Sequence, residues 1–339
     1  MKFTRLMGMV ALVASTSASA QVTLTASSWL PPLYVVTAGM LVPLCADMEK
    51  VTSGRVKCNV LAKAPVAPQQ TYDALRDGLI DISFATHGYS PGRFPLAESI
   101  EFPFMGDSSE ATSVAYQRVY DKMLAKANEH EGVTVLSVFT HGPGQFFSTK
   151  RAINSLSDFQ GMKFRVGSAT VGTILEKLGI VPLLRPANES YELLSSGIAD
   201  GIVLPSESVL GFKLLPLIKY ATLIPGGLYT QSFAWAVNPA KWNSIPERDK
   251  KLIEPLIGEA LARRSGRAWD EADKKGLAAM RDSKTVVVTA SPALVAEIKA
   301  RTEVLEKDWI EKKAKPKGID GAAVLRAIRE EAARVSAGR

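Results

Sequence analysis

The same eleven-residue pattern occurs twice in this chain, at positions 71–81 and 190–200. The copies read TYDALRDGLID and SYELLSSGIAD, so Tyr, Leu, Gly and Asp recur at identical spacing and a hydroxyl residue precedes each Tyr. Each copy predicts a helix capped by Ser or Thr, a left-handed glycine that ends it, and an apolar strand. Chance is the alternative for so short a repeat. A unit built twice predicts two lobes, and clefts between lobes bind ligands.

Alternation of strand and helix patterns along the 339 residues predicts α/β sheets in two domains. The predicted strands lie at 22–27, 56–61, 81–86, 133–139, 146–149, 163–166, 202–204, 231–237 and 286–289. The predicted helices lie at 35–51, 69–77, 108–127, 168–178, 247–280, 292–312 and 320–335, and one more precedes Gly197 in the second repeat. We expect Pro43 to kink or delay the first helix, and the helix at 247–280 to break near Gly266.

The chain is predicted to cross between the lobes at Gly142-Pro143-Gly144 and to return with the strand at 231–237. The first lobe would then contain 21–142 and about 231–270. The second lobe would contain 143–230 and about 271–325, and 326–339 would form the end of the C-terminal helix.

The first twenty residues have the pattern of a signal peptide. Lys2 and Arg5 precede an apolar run at 7–14, and small residues at 18–20 form a cleavage site before Gln21. A membrane anchor is the alternative, but it needs about 20 apolar residues, and serines and a threonine interrupt this run. We therefore predict cleavage after Ala20, export to the periplasm, and a mature protein that is not embedded in the membrane.

The net charge of +7 is a modest excess that favours anionic partners. Basic and acidic residues are mixed between 248 and 315, which is typical of solvated helical faces. No basic stripe alternates with stacking aromatic residues, so nucleic acid is not a predicted partner.

Cys45 and Cys58 are the two cysteines of the chain. In an exported protein they could form a disulfide bond. They could equally be buried free thiols, which is the interpretation adopted from the sequence, because spacing alone does not supply the geometry of a bond.

Gly88-Tyr89-Ser90-Pro91-Gly92 matches the G-x-S-x-G pattern of serine hydrolases. The oxyanion hole of such enzymes needs the backbone N–H after the serine, and Pro91 has none. A loop is therefore the preferred interpretation, and a hydrolase using Ser90 is kept as an alternative. The three histidines have no metal-ligand spacing, so we predict no metal site. With the hydrolase pattern set aside, we also predict no cofactor and no catalysis.

Arg165 is the principal candidate for binding a ligand. It shares one side of the predicted strand 163–166 with Lys163, because side chains alternate along a strand. If that side faces the cleft, its guanidinium can bind a carboxylate through two parallel hydrogen bonds. The pattern alone also fits a surface arginine.

Further candidates lie near the expected cleft edges, at the ends of predicted strands. His87 ends a strand of the first lobe, where it could line the cleft or make a structural hydrogen bond. The aromatic candidates are Trp29, Tyr34, Tyr89, Phe146, Phe147, Tyr229 and Phe233. Because most large apolar residues are buried in cores, only some of these can line a site.

Three separated motifs resemble the solute-binding subunit of TRAP transporters, the tripartite ATP-independent periplasmic importers. Residues 157–166, SDFQGMKFRV, are similar to the family signature D-x-x-G-x-K-x-R-V. Residues 191–201 are similar to Y-x-x-L-x-x-G-x-x-D-G, and Val237-Asn238 leads to Trp242 and Pro246 in the family's order. The resemblance covers nearly the whole mature chain.

This resemblance implies a type II-like periplasmic binding protein, with a mixed sheet flanked by helices in each lobe and a ligand cleft between the lobes. It also implies that Arg165 holds the carboxylate of a small organic anion, which is delivered to a small and a large membrane subunit. The alternatives are a sensory binding protein without transport and a receptor for an ATP-driven importer.

Two departures from family members that bind sialic acid bear on the ligand. Gln145 stands where those members have a second arginine, and Leu204 stands where they have an asparagine before the proline. With Phe146 and Phe147 nearby, this exchange favours an apolar or aromatic monocarboxylate, such as a 2-oxo or 2-hydroxy acid. Glu207 could accept a hydroxyl of the ligand or form a salt bridge.

Overall fold

A computed structural model describes residues 21–338, which form two β-sheets flanked by helices. The strands are β1 Val22–Ala26, β2 Val56–Val60, β3 Ile82–Thr86, β4 Thr134–Thr140, β5 Gln145–Ser148, β6 Lys163–Val166, β7 Val181–Leu184, β8 Gly201–Leu204, β9 Tyr220–Leu223, β10 Ser232–Val237 and β11 Val286–Thr289. The predicted signal peptide lies outside the described residues. None of the helices within 21–338 combines the length and the apolar character that a membrane span needs.

Eleven α-helices accompany the strands within the described residues. They are α1 Val42–Val51, α2 Thr71–Arg76, α3 Ser109–Val119, α4 Ala169–Lys177, α5 Ser190–Ser195, α6 Ser208–Gly211, α7 Pro239–Asn243, α8 Glu247–Ile253, α9 Glu259–Asp282, α10 Pro292–Trp309 and α11 Gly321–Ser336. A π-helical segment, Val35–Leu41, precedes α1. Two others extend helices at their C-terminal ends, Tyr120–Leu124 after α3 and Ile310–Ala314 after α10. The expected late start at Pro43 is not observed, because the chain is helical from Val35 and changes from π-helix to α-helix at Val42, with the proline in the first turn of α1.

The first sheet has the strand order β2-β1-β3-β10-β4, and the second has the order β11-β9-β5-β8-β6-β7. In the first, β1 is parallel to β2 and β3, whereas β10 is antiparallel to β3 and β4. In the second, β6 is parallel to β7 and β8, whereas β5 is antiparallel to β8 and β9. The predicted fold of two mixed sheets is confirmed, and β10 returns to the first sheet as expected. We refer to each sheet with its flanking helices as lobe I and lobe II; the chain boundaries proposed for the lobes stay a prediction.

The sequence repeat corresponds to equivalent units in the two sheets. Gly78 and Gly197 end α2 and α5 at φ values of 77° and 73°, in the left-handed region that favours glycine. Asp81 then accepts a hydrogen bond from the Thr25 backbone N–H of β1 at 2.7 Å. Asp200 accepts one from the Lys163 backbone N–H of β6 at 2.9 Å. Each aspartate thereby links its helix–strand unit to the neighbouring strand through a side-chain hydrogen bond.

The predicted hydroxyl caps of this repeat are wrong. Thr71 and Ser190 are the first residues of α2 and α5, and neither helix has a side-chain cap. Short 3-10 turns at Pro68–Gln70 and Ala187–Glu189 lead into these helices instead, and the Ser190 hydroxyl is buried with no hydrogen-bond partner among residues 21–338.

The predicted break near Gly266 is also wrong. Helix α9 runs unbroken through Gly266, and the chain is interrupted instead at Gly258, which has a φ of 60°. A Cβ atom on Gly266 would lie 2.4 Å from the Cα atom of Glu110 at the start of α3. The glycine therefore serves a close approach of two helices, which a sequence pattern cannot distinguish from a helix break.

Helix α9 links the two lobes. Its first half packs on α3 and β4 of lobe I, and Leu261 and Trp269 join the apolar core there. Its second half contacts α6 and β11, and Met280 joins the core of lobe II. The C-terminal helices divide in the same way, since α10 contacts α4 and α11 contacts α3.

Cys45 and Cys58 form a disulfide bond between α1 and β2, with their Cα atoms 5.5 Å apart. The interpretation as free thiols is therefore wrong. The decisive fact is tertiary, because the packing of α1 on β2 brings the two Cα atoms within the range that a disulfide bond needs.

Replacing both cysteines with serine is expected to lower the free energy of unfolding by about 3 kcal/mol. The bond joins residues 13 positions apart and restricts the unfolded chain over that loop. Chemical denaturation of the oxidised protein and of the double variant measures the difference. An equal midpoint for the two proteins would show that the bond contributes little, and the reduced wild-type protein is the matched control.

Candidate functional site

A cavity lies between the two sheets, close to the ends of several strands. Residues following β1, β3, β4 and β8 line it, together with residues of β6 and β10 and Trp269 of α9. The space inside it that atoms do not fill is about 430 Å³. Ligands of open α/β sheets commonly bind at strand ends of this kind.

Arg165 is the single Lys or Arg among the described residues that line this cavity. Its side chain is buried, with an exposed fraction of 1%. The Nε atom donates to the carbonyl oxygen of Arg185 at 2.8 Å, and Nη2 lies 3.4 Å from the hydroxyl of Tyr89. Nη1 is buried and has no hydrogen-bond partner among residues 21–338.

No carboxylate within 21–338 forms an ion pair with Arg165. A guanidinium stays charged in proteins, and burying an unpaired charge is costly. The arrangement therefore suits an anionic group that enters the cavity and accepts the remaining N–H donors of Arg165.

Tyr89 is positioned to assist Arg165. Its hydroxyl oxygen accepts a hydrogen bond from the Ala187 backbone N–H at 2.8 Å as well as from Arg165. Because both contacts use the oxygen as acceptor, the hydroxyl proton remains available for a ligand oxygen. Tyr89, one of the aromatic candidates near the expected cleft edges, thus lies in the cavity wall beside Arg165.

The remaining walls are predominantly aromatic. The rings that line the cavity belong to Trp29, Tyr34, Phe84, Tyr89, His141, Phe212, Tyr229, Phe233 and Trp269. Neighbouring rings are in contact, with centroids 5.6 Å apart for Trp29 and Phe84 and 4.9 Å apart for Tyr34 and Phe212. Such walls suit a flat apolar ligand, because aromatic pairs favour offset or edge-to-face contacts at these distances.

Glu207 lies behind this wall and holds Tyr34. Its Oε2 atom accepts hydrogen bonds from the Tyr34 hydroxyl at 2.8 Å and from the Ser208 hydroxyl at 3.0 Å. Its backbone N–H donates to Asp273 of α9 at 2.7 Å. Burial, reinforced by the charge of Asp273, raises the pKa of Glu207 to about 8. Of the two predicted roles, a salt bridge is not formed within 21–338, and the carboxyl group positions Tyr34 instead.

Glu207 should make the protein less stable as the pH rises. An acid whose folded pKa exceeds its unfolded pKa contributes stability that is fully present below the unfolded value and lost as the pH approaches the folded value. For Glu207 this window lies between about pH 4.5 and about pH 8. In the wild type, Glu207 should therefore lower the unfolding free energy by at most about 1.4 kcal/mol for each pH unit within this window. Glu207→Gln should lack this contribution, so its unfolding free energy should fall less steeply with pH.

Denaturant titrations at several pH values test this expectation for Glu207. Burial raises the pKa of Glu101 and of Asp273 to about 7 as well. Because these two groups also make the unfolding free energy depend on pH, the slope of the variant is compared with the slope of the wild type. The exposed Glu192→Gln variant is the matched control and should keep the wild-type slope. Identical slopes for Glu207→Gln and wild type would contradict the expectation.

The structure places two of the predicted site residues outside the cavity. His87 is buried against Phe94, and its Nε2 atom lies 2.9 Å from that of His130, so it belongs to a structural pair. Gln145 accepts a hydrogen bond from the Ile224 backbone N–H at 2.5 Å and faces a separate groove. Contrary to the expectation from the sequence, neither residue lines this cavity.

Phe146 and Phe147 do not line the cavity either. Phe146 packs against Phe159 and Phe164, and Phe147 lies in the core of lobe II with Ile202. The expectation that these two rings make the site apolar is therefore wrong, because the aromatic walls of the cavity are formed by residues of other segments.

Six of the candidates named from the sequence do line the cavity, namely Trp29, Tyr34, Tyr89, Arg165, Tyr229 and Phe233. Those that sequence reasoning missed include Phe84, Thr86, His141, Phe212, Gln231 and Trp269. Their positions in strands, loops and an amphipathic helix are also typical of core residues, so no local signal separates the two roles.

The two lobes touch each other around the cavity. The Tyr34 hydroxyl of lobe I donates a hydrogen bond to Glu207 of lobe II. The Tyr89 hydroxyl of lobe I accepts one from the Ala187 backbone N–H of lobe II. The hydroxyl of Ser168, which caps α4, donates to Glu101 at 2.9 Å. Gly88 lies so close to lobe II that a Cβ atom on it would be 2.5 Å from Ser168 Cβ. These contacts describe a closed arrangement of the lobes.

The hydrolase alternative has no geometric support at Ser90. The residue lies in a turn after the 3-10 segment His87–Tyr89, and its side chain forms no hydrogen bond to a histidine within 21–338. Among the same residues no cluster of three or more His, Cys, Asp or Glu side chains could hold a metal ion.

Residues 26–313 match the family model described as bacterial extracellular solute-binding protein, family 7. A curated relative, the outer membrane transporter protein TsaT of Comamonas testosteroni, is 30% identical over 98% of this chain and 99% of its own length. The matched region includes every residue that lines the cavity.

Solved structures resemble the whole described chain. A TRAP periplasmic solute-binding protein from Bordetella bronchiseptica with bound (R)- and (S)-mandelate has 41% identity and a TM-score of 0.90, covering 93% of this chain and 99% of that chain. A marine-metagenome TRAP protein specific for aromatic acid ligands, co-crystallised with 3-hydroxybenzoate, has 35% identity and a TM-score of 0.87, with the same coverage. These comparisons give the serine hydrolase alternative no support.

Proposed function

Since this chain belongs to family 7 of the bacterial extracellular solute-binding proteins, we propose that it captures a small aromatic monocarboxylate for a TRAP transporter. The observation that carries this proposal is one buried guanidinium, Arg165, inside a cavity with aromatic walls. A single cation suits one carboxylate, and the rings suit the flat apolar remainder of the ligand.

The single cation and the aromatic walls of the cavity argue against two other ligand classes, the dicarboxylates and the sugar acids. A dicarboxylate would place a second negative group against apolar rings, and a sugar acid would place several hydroxyl groups against a predominantly aromatic wall. Similar proteins were solved with mandelate and with 3-hydroxybenzoate, and both of these ligands are aromatic acids with one carboxylate.

In the proposed mechanism, ligand binding shifts the protein from an open to a closed arrangement. Arg165 of lobe II holds the carboxylate, and Trp29 and Tyr34 of lobe I contact the ring as the lobes close. A ligand that touches both lobes binds the closed state more tightly and thereby increases its population. The closed protein, located in the periplasm, would then deliver the anion to the small and large membrane subunits.

Calorimetry and thermal unfolding of the purified mature protein test the proposed ligand class. We expect benzoate, phenylacetate and mandelate to raise the melting temperature, because a ligand that binds only the folded state stabilises it by mass action. Succinate and galacturonate serve as the dicarboxylate and sugar-acid comparisons. Stabilisation by either of these, with none by the aromatic acids, would overturn the proposal.

A further inference from the structure

His141 follows strand β4 and forms part of the cavity wall. Its ring is buried and lies against three aromatic rings, with centroid distances of 5.2 Å to Tyr229 and 5.9 Å to both Phe233 and Trp269. The mechanism proposed above assigns this side chain no role. Among residues 21–338 it is also the one histidine that lines the cavity.

Two acceptors decide which ring nitrogen of His141 carries the proton. Nδ1 lies 2.5 Å from the carbonyl oxygen of Gly142 and 3.4 Å from the hydroxyl oxygen of Thr230. The Thr230 hydroxyl gives its own proton to the carbonyl oxygen of His141 at 2.7 Å, so towards Nδ1 it can only accept. Nδ1 is therefore protonated, and in the neutral ring Nε2 carries the lone pair.

The ring of His141 is neutral under ordinary conditions. Burial lowers the pKa of His141 to about 3, and the charge of Arg165 acts in the same direction. Nε2 is consequently an acceptor, and no donor within residues 21–338 forms a hydrogen bond with it. An acceptor in a ligand cavity that no protein donor satisfies is paired when the ligand supplies a donor.

We propose that Nε2 of His141 accepts a hydrogen bond from a hydroxyl group of the bound ligand, so that the cavity selects hydroxylated aromatic monocarboxylates over their unsubstituted analogues. This inference rests on the proposed function, which supplies the carboxylate at Arg165. It adds a second polar contact at a different part of the wall, and it names the group that the ligand presents there.

The physical basis of this selectivity is the penalty for an unpaired acceptor. An unsubstituted acid would displace water from Nε2 without replacing its hydrogen bond, whereas a hydroxylated acid restores it. Sites that hydrogen-bond a ligand hydroxyl therefore discriminate against ligands that lack it. Thr86, whose hydroxyl is buried and unpartnered among the described residues, lines the same cavity and could position the ligand further.

Matched ligand pairs measured by calorimetry test the role of His141. The pairs are benzoate with 3-hydroxybenzoate, benzoate with 4-hydroxybenzoate, and phenylacetate with mandelate. In the wild type we expect at least one hydroxylated acid to bind about five- to tenfold more tightly than its partner. In His141→Phe, which keeps an aromatic ring, that preference should fall to about twofold or less.

Phe212→Leu is the matched control in the same cavity wall. It reduces apolar contact for both members of a pair, so affinities should fall together and their ratio should stay as in the wild type. Thermal unfolding without ligand establishes that each variant folds. Equal ligand ratios in wild type and His141→Phe, for all three pairs, would overturn the inference.

A second measurement needs no variant. The chain has three histidines, so the imidazole ¹⁵N resonances can be assigned in the intact protein. The resonance of the unprotonated Nε2 of His141 should move when a preferred hydroxylated acid binds, and should move much less with its unsubstituted partner. Equal shifts would overturn the inference. Failure of every aromatic acid to bind would instead overturn the proposed function, so the two failures are distinguishable.

Discussion

Replacing Arg165 with alanine is expected to weaken the binding of an aromatic carboxylate by about a hundredfold or more. Arg165 is the single Lys or Arg of the cavity wall among the described residues, and no other cation there can replace it. Without it, the ligand carboxylate would enter an aromatic cavity unpaired, which is costly for a charged group. Calorimetry with benzoate or mandelate measures the loss.

The fold should survive this substitution. Within residues 21–338 the guanidinium of Arg165 makes one hydrogen bond to a backbone carbonyl and a longer one to Tyr89, and it pairs with no carboxylate. We therefore expect the ligand-free melting temperature of Arg165→Ala to stay within a few degrees of the wild type. Arg165→Lys should bind with intermediate affinity, because a lysine ammonium lacks the two parallel donors of a guanidinium.

Arg185→Ala is the matched control for Arg165. The Arg185 side chain is 59% exposed and faces Glu189, whereas its backbone carbonyl, which holds Arg165, is kept in the variant. Its affinity for the ligand should equal that of the wild type. If Arg165→Ala bound as tightly as Arg185→Ala, the carboxylate would have to bind elsewhere and the proposed function would fail.

Replacing Gly88 with alanine is expected to hinder closure of the two lobes and to lower affinity by about 5- to 150-fold. In the closed arrangement the new methyl group would lie 2.5 Å from Ser168 Cβ and 2.8 Å from the carbonyl oxygen of Gly167. Overpacking of this kind costs about 1–3 kcal/mol, and each 1.4 kcal/mol changes affinity tenfold. An open arrangement separates the lobes and removes the clash, so folding should be unaffected.

Calorimetry and small-angle X-ray scattering together test the prediction for Gly88. The radius of gyration of the wild type should decrease when ligand is added, whereas that of Gly88→Ala should change less. Gly39→Ala is the matched control, because its new Cβ atom would meet its nearest neighbours at the ordinary contact distances of 3.5 and 3.8 Å. Full closure and unchanged affinity in Gly88→Ala would show that this contact does not limit binding.

Features with a local physical cause could be predicted from the sequence. The repeated unit is the clearest case, because a glycine at positive φ ends each helix and an aspartate at fixed spacing follows it. The prediction of hydroxyl caps at Thr71 and Ser190 was wrong because a 3-10 turn leads into each helix, and the sequence pattern did not reveal these turns. Strand β7 was missed because it contains Pro182, which is tolerated on a sheet edge but is not typical of a strand.

The contrast between His87 and His141 shows where local reasoning ends. Each histidine directly follows a strand of the first sheet, β3 and β4 respectively. His87 meets His130, whereas His141 faces the cavity. Which way each ring turns depends on the packing around the strand end, and this information is not in the adjacent residues.

The class of fold could be read from the periodicity of short segments, and Arg165 was a candidate because its strand pattern was joined by the resemblance to TRAP solute-binding subunits. The Cys45–Cys58 bond, the aromatic walls of the cavity and the acceptor nitrogen of His141 emerged with the three-dimensional packing alone. Trp29 and Trp269, for example, lie 240 positions apart and line one cavity. Such proximity results from the packing of two sheets and one shared helix, and no pattern confined to a single segment encodes it.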